Sequence, residues 1–330
     1  MNDVLCAEYT EEEVKRALDN IGDLKAPGPD GMPAIFFKRF WKTVGNQVTE
    51  EVLLILRGGE MPEGWNDTLI VLIPKHANLV SIKDLRPISL CNVVYKLVSK
   101  VIRNRLKVIL PDIISPNQSA FVPGRLISDN ILLAYELTYF LRRRRRGLMG
   151  YAAIKLDMSK AYDRVEWTFL KDMMQRLGFN MCWIKLIMQC VSTVRYQIKV
   201  NQDKTEIIEP QRGLRQGDPL SPYLFLICAE GFTAMLHEAQ MRGLINGIKI
   251  CREAPCVSHL LFADNSLLLM EANAESAHEL NRILNIYEAS SGQMINKDRS
   301  TILFSANTRQ GLKEEMRSIL QISSEGLSSR

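Results

Sequence analysis

Two strand-like segments of this chain lead into aspartates. Residues 151–157 are mostly apolar and end on Asp157, and residues 257–263 run into Asp264. The strand pattern resumes over 266–270, so the second segment reads as a tight hairpin with Asp264-Asn265 at its tip. Around them the periodicity predicts helices at about 159–177, 181–192, 220–240 and 275–290, with a short strand near 300–304. A further hairpin is expected from Arg195–Val200 and 205–209, with Asn201-Gln202-Asp203-Lys204 between them. This order, without strict βαβ repetition and without internal repeats, points to an α+β fold.

The N-terminal third is punctuated differently. Thr10 with Glu13 forms a capping box ahead of a helix at about 11–20. Lys25-Ala26-Pro27-Gly28-Pro29-Asp30-Gly31 is too rich in Pro and Gly for helix or strand. A helix is expected over 34–57, then a buried strand over 69–73 closed by Pro74. Residues 92–110 read as a helix whose apolar face carries Val94, Leu97, Val98, Val101, Ile102 and Ile109. Lys96, Lys100, Arg103 and Lys107 recur at helical spacing and form one basic stripe on it.

Composition excludes several classes. In 330 residues, 46% hydrophobic and 24% charged is globular rather than disordered or fibrous. No run approaches the ~20 apolar residues of a membrane span. The start, Met1-Asn2-Asp3-Val4, lacks a basic region followed by an apolar core, so no signal peptide is expected. Seven cysteines without a C-x-x-C pair suggest reduced thiols in an intracellular setting, nuclear or cytoplasmic. Four histidines without H-E-x-x-H argue against a zinc hydrolase.

The net charge of +5 conceals an asymmetry. Residues 75–107 hold eight Lys or Arg against one acid, Asp84, and residues 142–146 are five consecutive arginines. The remainder of the chain is net acidic. Either these are solvated faces or they meet a polyanion such as nucleic acid. Asp157 and Asp264 have two readings as well. They are ordinary strand-end and turn residues, or they are the carboxylates of a two-metal phosphoryl-transfer site, where hard Mg²⁺ ions take oxygen ligands.

The local sequences are more specific. Ile154-Lys155-Leu156-Asp157-Met158-Ser159-Lys160-Ala161-Tyr162-Asp163 resembles motif A of reverse transcriptases from non-LTR, LINE-type retrotransposons. Gly213-Leu214-Arg215-Gln216-Gly217-Asp218-Pro219 resembles their motif B, Phe262-Ala263-Asp264-Asn265 their motif C, and Ser291-Gly292-Gln293-Met294-Ile295-Asn296 with Arg299-Ser300 their motif D. Upstream, Ala26–Gly31, Leu72-Ile73-Pro74-Lys75, Leu85-Arg86-Pro87-Ile88-Ser89-Leu90 and Gln118-Ser119-Ala120-Phe121-Val122-Pro123-Gly124-Arg125 match the fingers motifs in order. The resemblance spans roughly 20–320 and is strongest to elements of plant genomes.

That resemblance implies a right-hand polymerase fold: an N-terminal segment at 1–19, fingers at 20–150, an antiparallel palm at 151–305, and at 306–330 the start of a connection to a thumb. It implies an RNA-directed DNA polymerase acting on an RNA template, a DNA primer and deoxynucleoside triphosphates, with two Mg²⁺ ions (Mn²⁺ a substitute) and no organic cofactor or membrane. Asp157 and Asp264 would hold metal, with Asn265 beside them as the third catalytic position. Lys75, Arg86, Tyr162, Gln216 and Gly217 would bind the nucleotide, Tyr162 as the sugar gate. Lys96, Lys100, Arg103, Lys107 and Arg125 would contact nucleic acid. Lys297 and Arg299 are candidate proton donors.

Two departures stand out. Asn265 replaces the second aspartate of F-A-D-D, and Arg299 stands where the family has lysine. The chain is also expected to be a fragment, without an upstream endonuclease or a thumb. A catalytically inactive nucleic-acid-binding remnant is therefore the alternative to an active polymerase. A group II intron maturase-like polymerase fits the wording of motif A less well.

Overall fold

The computed structural model describes residues 1–326 except Gln202 and Arg252. Gln202 is part of the expected tip of the 195–209 hairpin and lies outside the described residues, as do 327–330. The chain divides into two compact units, one formed by 1–109 with 165–225, the other by 110–164 with 226–330.

In the first unit, α1 (Asn2–Leu5) and α2 (Glu11–Asp19) precede α3 (Ala34–Arg39) and α4 (Trp41–Leu56). The Thr10–Glu13 capping box forms as expected. The single helix expected over 34–57 is broken at Phe40, whose φ of −101° and ψ of 18° end one helix and cap the next. Strands β1 (Asp67–Pro74) and β2 (Leu85–Cys91) form an antiparallel hairpin, and β1 also pairs in parallel with β4 (Arg195–Val200), which pairs with the short β5 (Asp203–Lys204). Helix α5 (Val93–Ile113) starts in this unit and buries Leu97, Val98, Val101, Ile102 and Leu106.

The second unit holds the antiparallel sheet β6-β7-β3-β8, formed by β3 (Tyr151–Leu156), β6 (His259–Phe262), β7 (Asn265–Glu271) and β8 (Thr301–Phe304). Side chains alternate across it. Ala152, Ile154 and Leu156 point to one face, and Ala153 to the other. On that second face, Ala153, Leu260 and Leu269 pack with Leu137 and Leu141 of α6 (Ile127–Arg143). Helix α10 (Ala274–Ser291) follows β7, and α11 (Gln310–Leu320) packs against it.

One expectation fails inside the first motif. The helix expected from 159 begins at Trp167, as α7 (Trp167–Arg176). Residues 158–164 are a bridge followed by turns: Lys160 has φ +52°, Asp163 N–H donates to the Lys160 carbonyl, and Ser159 N–H is drawn away to the Met294 carbonyl at 2.8 Å. A left-handed residue and outward hydrogen bonding are incompatible with a helical ladder there. The remaining helices, α8 (Met181–Ser192) and α9 (Ser221–Met241), lie within a few residues of expectation. Among the described residues no helix is long and apolar enough to cross a membrane.

Candidate active site

The sheet register brings the two aspartates together. Leu156 pairs with Ser266 across β3 and β7, so Asp157, one residue on, emerges beside the start of β7. Phe262 pairs with Asn265, so the β6–β7 loop is Ala263-Asp264, one residue earlier than the sequence suggested, and Asn265 opens β7. Asp157 and Asp264 are both half-buried at the same end of one sheet. Burial and the neighbouring Asp157 charge push the Asp264 carboxyl above its usual range.

Tyr162 joins them. Its hydroxyl is pushed up to about 12, first by burial and then by the Asp264 charge. Asn265 is exposed, and its amide donates to an Asp264 carboxylate oxygen at 3.4 Å. The end of β3 is tied to the 291–300 segment: Asn296 N–H donates to the Asp157 carbonyl at 2.7 Å, and the Ser300 hydroxyl accepts from Asp157 N–H at 3.2 Å. Gln293 takes the Tyr287 hydroxyl at 2.8 Å and gives its amide to the Ala161 carbonyl at 3.3 Å, holding the turn that carries Tyr162. Lys297 donates to Gln321 at 2.6 Å, and Arg299 is exposed.

A supporting residue was not singled out from sequence. Gln118 is 1% exposed and lies against β6 through a parallel bridge to Leu261. Its side-chain oxygen accepts from Ala263 N–H at 3.1 Å and Ala120 N–H at 3.0 Å. Ala263 has φ +52°, a conformation an L side chain resists, so the turn that presents Asp264 is held from outside. The only sequence trace of this was membership of Gln118 in a matched motif.

The same segment settles the surroundings of Arg125. Its guanidinium donates to the carbonyls of Pro111, Ile114, Ser115 and Gln118, at 3.3, 2.7, 2.5 and 2.7 Å. These bonds close the end of α5 and leave its donors engaged within the fold.

The other expected residues belong to the first unit. Lys75 and Arg86 share one face of the β1–β2 hairpin, because Ile73 pairs with Arg86 and Lys75 follows Ile73 by two. Both are exposed, and the Lys75 ammonium reaches the Lys83 carbonyl at 2.7 Å. Gln216 and Gly217 lie on a loop anchored by a buried pair missed in the sequence: Arg215 and Asp218, 2.7 Å apart and each 3% exposed. Arg215 also bonds Asn66, Thr68 and the Cys190 carbonyl, and Tyr95 gives its hydroxyl to Asp218 at 2.6 Å. Gly217, at φ +117°, could take no side chain, since a Cβ would sit 2.9 Å from the Ser89 carbonyl oxygen.

The basic stripe is partly spent inside the fold. Lys96 donates to the Ala26 carbonyl at 3.3 Å, Lys100 to the Asn20 carbonyl, and Arg103 to the Tyr223 hydroxyl at 3.0 Å, while Lys107 is exposed. Burial, then the charges of Arg103, Lys25 and Lys38, lower Lys100 to about 8. Arg105, counted in the basic segment, is internal: it pairs with Glu13 at 2.7 Å and caps the carbonyls of Leu5, Ala7 and Glu8.

Among the described residues no group of three or more His, Cys, Asp or Glu is arranged to hold a metal. Two carboxylates remain, and their donor set suits a hard divalent cation, which keeps water and substrate phosphates as further ligands. Two neighbouring half-buried like charges are what such a cation would relieve.

Residues 73–318 match the family described as Reverse transcriptase (RNA-dependent DNA polymerase). The chain belongs to that family. Its α+β architecture and antiparallel sheet are those expected of the right-hand polymerase class. This reverse transcriptase domain is 32% identical over 302 residues to the transposon TX1 uncharacterized 149 kDa protein of Xenopus laevis, covering 91% of this chain and 22% of that protein. It is 29% identical over 258 residues to a retrovirus-related Pol polyprotein from the type-1 retrotransposable element R2 of Nasonia vitripennis, covering 78% and 24%. An uncharacterized mitochondrial protein of Arabidopsis thaliana is 45% identical over 67 residues, 20% of this chain and 55% of that protein, which lends modest support to the plant resemblance. The chain spans about a quarter of the length of the TX1 and R2 proteins. It is a reverse transcriptase domain of the kind found in non-LTR retrotransposon polyproteins, and reverse transcriptases use divalent metal ions.

Proposed function

We propose that this domain extends a DNA primer along an RNA template by two-metal nucleotidyl transfer, at a rate lowered by Asn265. The observation that carries the reading is the convergence of Asp157 and Asp264 at one end of an antiparallel sheet. Their oxygens would hold two Mg²⁺ ions, with Mn²⁺ as a substitute. When bound, the ions neutralise triphosphate charge and make the primer 3′-hydroxyl more acidic.

The protein's own groups do the rest. Tyr162, with its hydroxyl pushed up to about 12 by burial and by the Asp264 charge, stays neutral at physiological pH and offers a flat ring near that carboxylate. A ring there excludes a sugar 2′-hydroxyl and selects deoxynucleotides. Lys75 and Arg86, on one hairpin face, meet the triphosphate, Arg86 as a bidentate fork. Gln216 and Gly217 offer a loop stiffened by Arg215 and Asp218. Lys297 is the better proton donor to pyrophosphate, because an ammonium gives up a proton more readily than a guanidinium. Lys107, exposed on the basic stripe, meets phosphates directly, and Lys96, Lys100 and Arg103, which bond within the fold, add positive charge to the same helix. Arg125 serves the fold instead. The substrates imply an intracellular setting, nuclear or cytoplasmic.

The test is incorporation of labelled dTTP on poly(rA)/oligo(dT) with Mg²⁺ or Mn²⁺. Template-dependent extension supports the reading, and binding of primer-template without extension favours a second one. That second reading, a nucleic-acid-binding remnant without catalysis, is favoured by one observation: Asn265 adds no third carboxylate to the two that converge.

A further inference from the structure

The five arginines at 142–146 are not used by the reaction, and the structure separates them. Arg144 is half-buried, with its guanidinium 4.7 Å from the Tyr151 ring and 5.5 Å from that of Phe140, and its backbone closes α6. Arg142, Arg143, Arg145 and Arg146 are exposed. Arg144 is thus a packing residue, and its neighbours are free to face a partner.

Two of them border a feature of the second unit. A cleft of about 620 Å³ lies between α6 and the β6–β7 hairpin. One wall is the α6 face with Ile131, Tyr135, Tyr139 and Arg142; the other includes Lys155, Phe262 and Asn265. Its lining contains two cations and no carboxylate. Tyr135 and Tyr139 are 68% and 50% exposed, and their rings stack at 6.5 Å and 18°. Arg143 lies 5.0 Å from the Tyr139 ring centroid. Arg142 and Asn265, the residue next to Asp264, thus line the same cleft.

We propose that this cleft holds a single strand of nucleic acid, with unpaired bases stacked on Tyr135 and Tyr139 and phosphates on Arg142, Arg143 and Lys155. The inference rests on the polymerase reading for which strand arrives there, but the recognition chemistry is its own. Exposed aromatic faces bind any base through its π-face, and cations beside them follow the backbone. An apolar protein segment would satisfy Ile131 and the rings but would leave both cations of the lining unpaired. A duplex hides its base faces and could not use the stacked rings.

The experiment is fluorescence anisotropy of labelled dT16, and of a blunt 16-base-pair duplex, across a salt series. Tyr135→Ala with Tyr139→Ala should weaken dT16 binding about tenfold or more without altering the salt slope, and the paired Phe substitutions should retain binding. Arg142→Gln with Arg143→Gln should reduce the slope of log K against log salt by about one unit or more. Both rings are exposed, so far-UV circular dichroism of the variants should match the parent. Unchanged dT16 affinity in the double Ala variant overturns the proposal. So does an equal loss of duplex binding, which would mark a general basic surface. A chain that binds dT16 through the tyrosines yet never extends a primer supports the cleft and overturns the polymerase reading. A chain that extends primers but binds dT16 independently of the tyrosines does the reverse.

Discussion

The side-chain oxygen of Gln118 accepts the backbone N–H of Ala263 at 3.1 Å, with Ala263 held at φ +52° directly before Asp264. The same oxygen accepts from Ala120, so one buried amide joins the 117–120 segment to the turn that aims the carboxylate. Removing the acceptor leaves two backbone donors in a buried setting.

Gln118→Met should therefore lower unfolding free energy by about 1–3 kcal/mol, the cost of unpaired buried donors. It should also reduce nucleotide incorporation by more than the loss of folded protein explains, since the Asp264 turn relaxes. Urea titration beside incorporation at a temperature where both proteins are folded checks this. Equal specific activity per folded molecule would limit Gln118 to a structural role.

A similar substitution separates two readings of Arg125. Its donors already serve four carbonyls. Arg125→Met should cost about 2–3 kcal/mol of stability and leave the salt dependence of nucleic-acid binding unchanged. Lys107→Gln, at an exposed site on the basic stripe, should do the opposite: little change in the urea midpoint and a shallower salt slope.

Lys100 gives a pH signature. Its ammonium, lowered to about 8 by burial and by Arg103, Lys25 and Lys38, loses its proton in the folded chain before it would in the unfolded one. The unfolded chain then binds more protons between about pH 8 and the ordinary lysine range near pH 10.4, so this group's contribution to stability rises across that window and falls as pH drops through 8. Nucleic-acid affinity should move the other way, weakening as pH rises from 7 to 9 because a positive charge is lost from the helix that carries the exposed Lys107. Anisotropy titrations of the parent and Lys100→Met at both pH values test this, with the variant expected to be flat over that range.

The sequence revealed some parts of this molecule more readily than others, for physical reasons. The β3 and β6–β7 strands were legible because their periodicity is local, and Asp157 and Asp264 because their motifs are contiguous in sequence. The 159–164 turns read as helix from sequence. What prevents a helix there is hydrogen bonding of Ser159 and Asp157 to Met294 and Asn296, more than 130 residues away. Gln118 and the Arg215–Asp218 pair were invisible as supports for the same reason, since each acts on backbone or side chains distant in sequence. Helix α6 was not anticipated at all: its exposed Ile127, Ile131, Leu132, Tyr135 and Tyr139 blur the amphipathic pattern that marks a helix facing one core. The basic stripe had the right spacing, but spacing could not show that three of its four cations bond within the fold.

The central claim is that Asp157 and Asp264 form a divalent-cation site weakened by Asn265. Opposite unit charges at 4 Å interact by about 4 kcal/mol at an effective dielectric of ~20. An amide oxygen recovers part of that, so the substitution should cost about two to three orders of magnitude in rate. The direct measurement is Mg²⁺-dependent dTTP incorporation on poly(rA)/oligo(dT) by the parent chain, Asn265→Asp and Asp264→Asn, with primer-template binding measured in parallel. The account predicts weak synthesis by the parent, roughly 100- to 1,000-fold faster synthesis by Asn265→Asp, and none by Asp264→Asn, with all three binding primer-template alike. Parent synthesis already at the Asn265→Asp rate, or synthesis surviving Asp264→Asn, would contradict it.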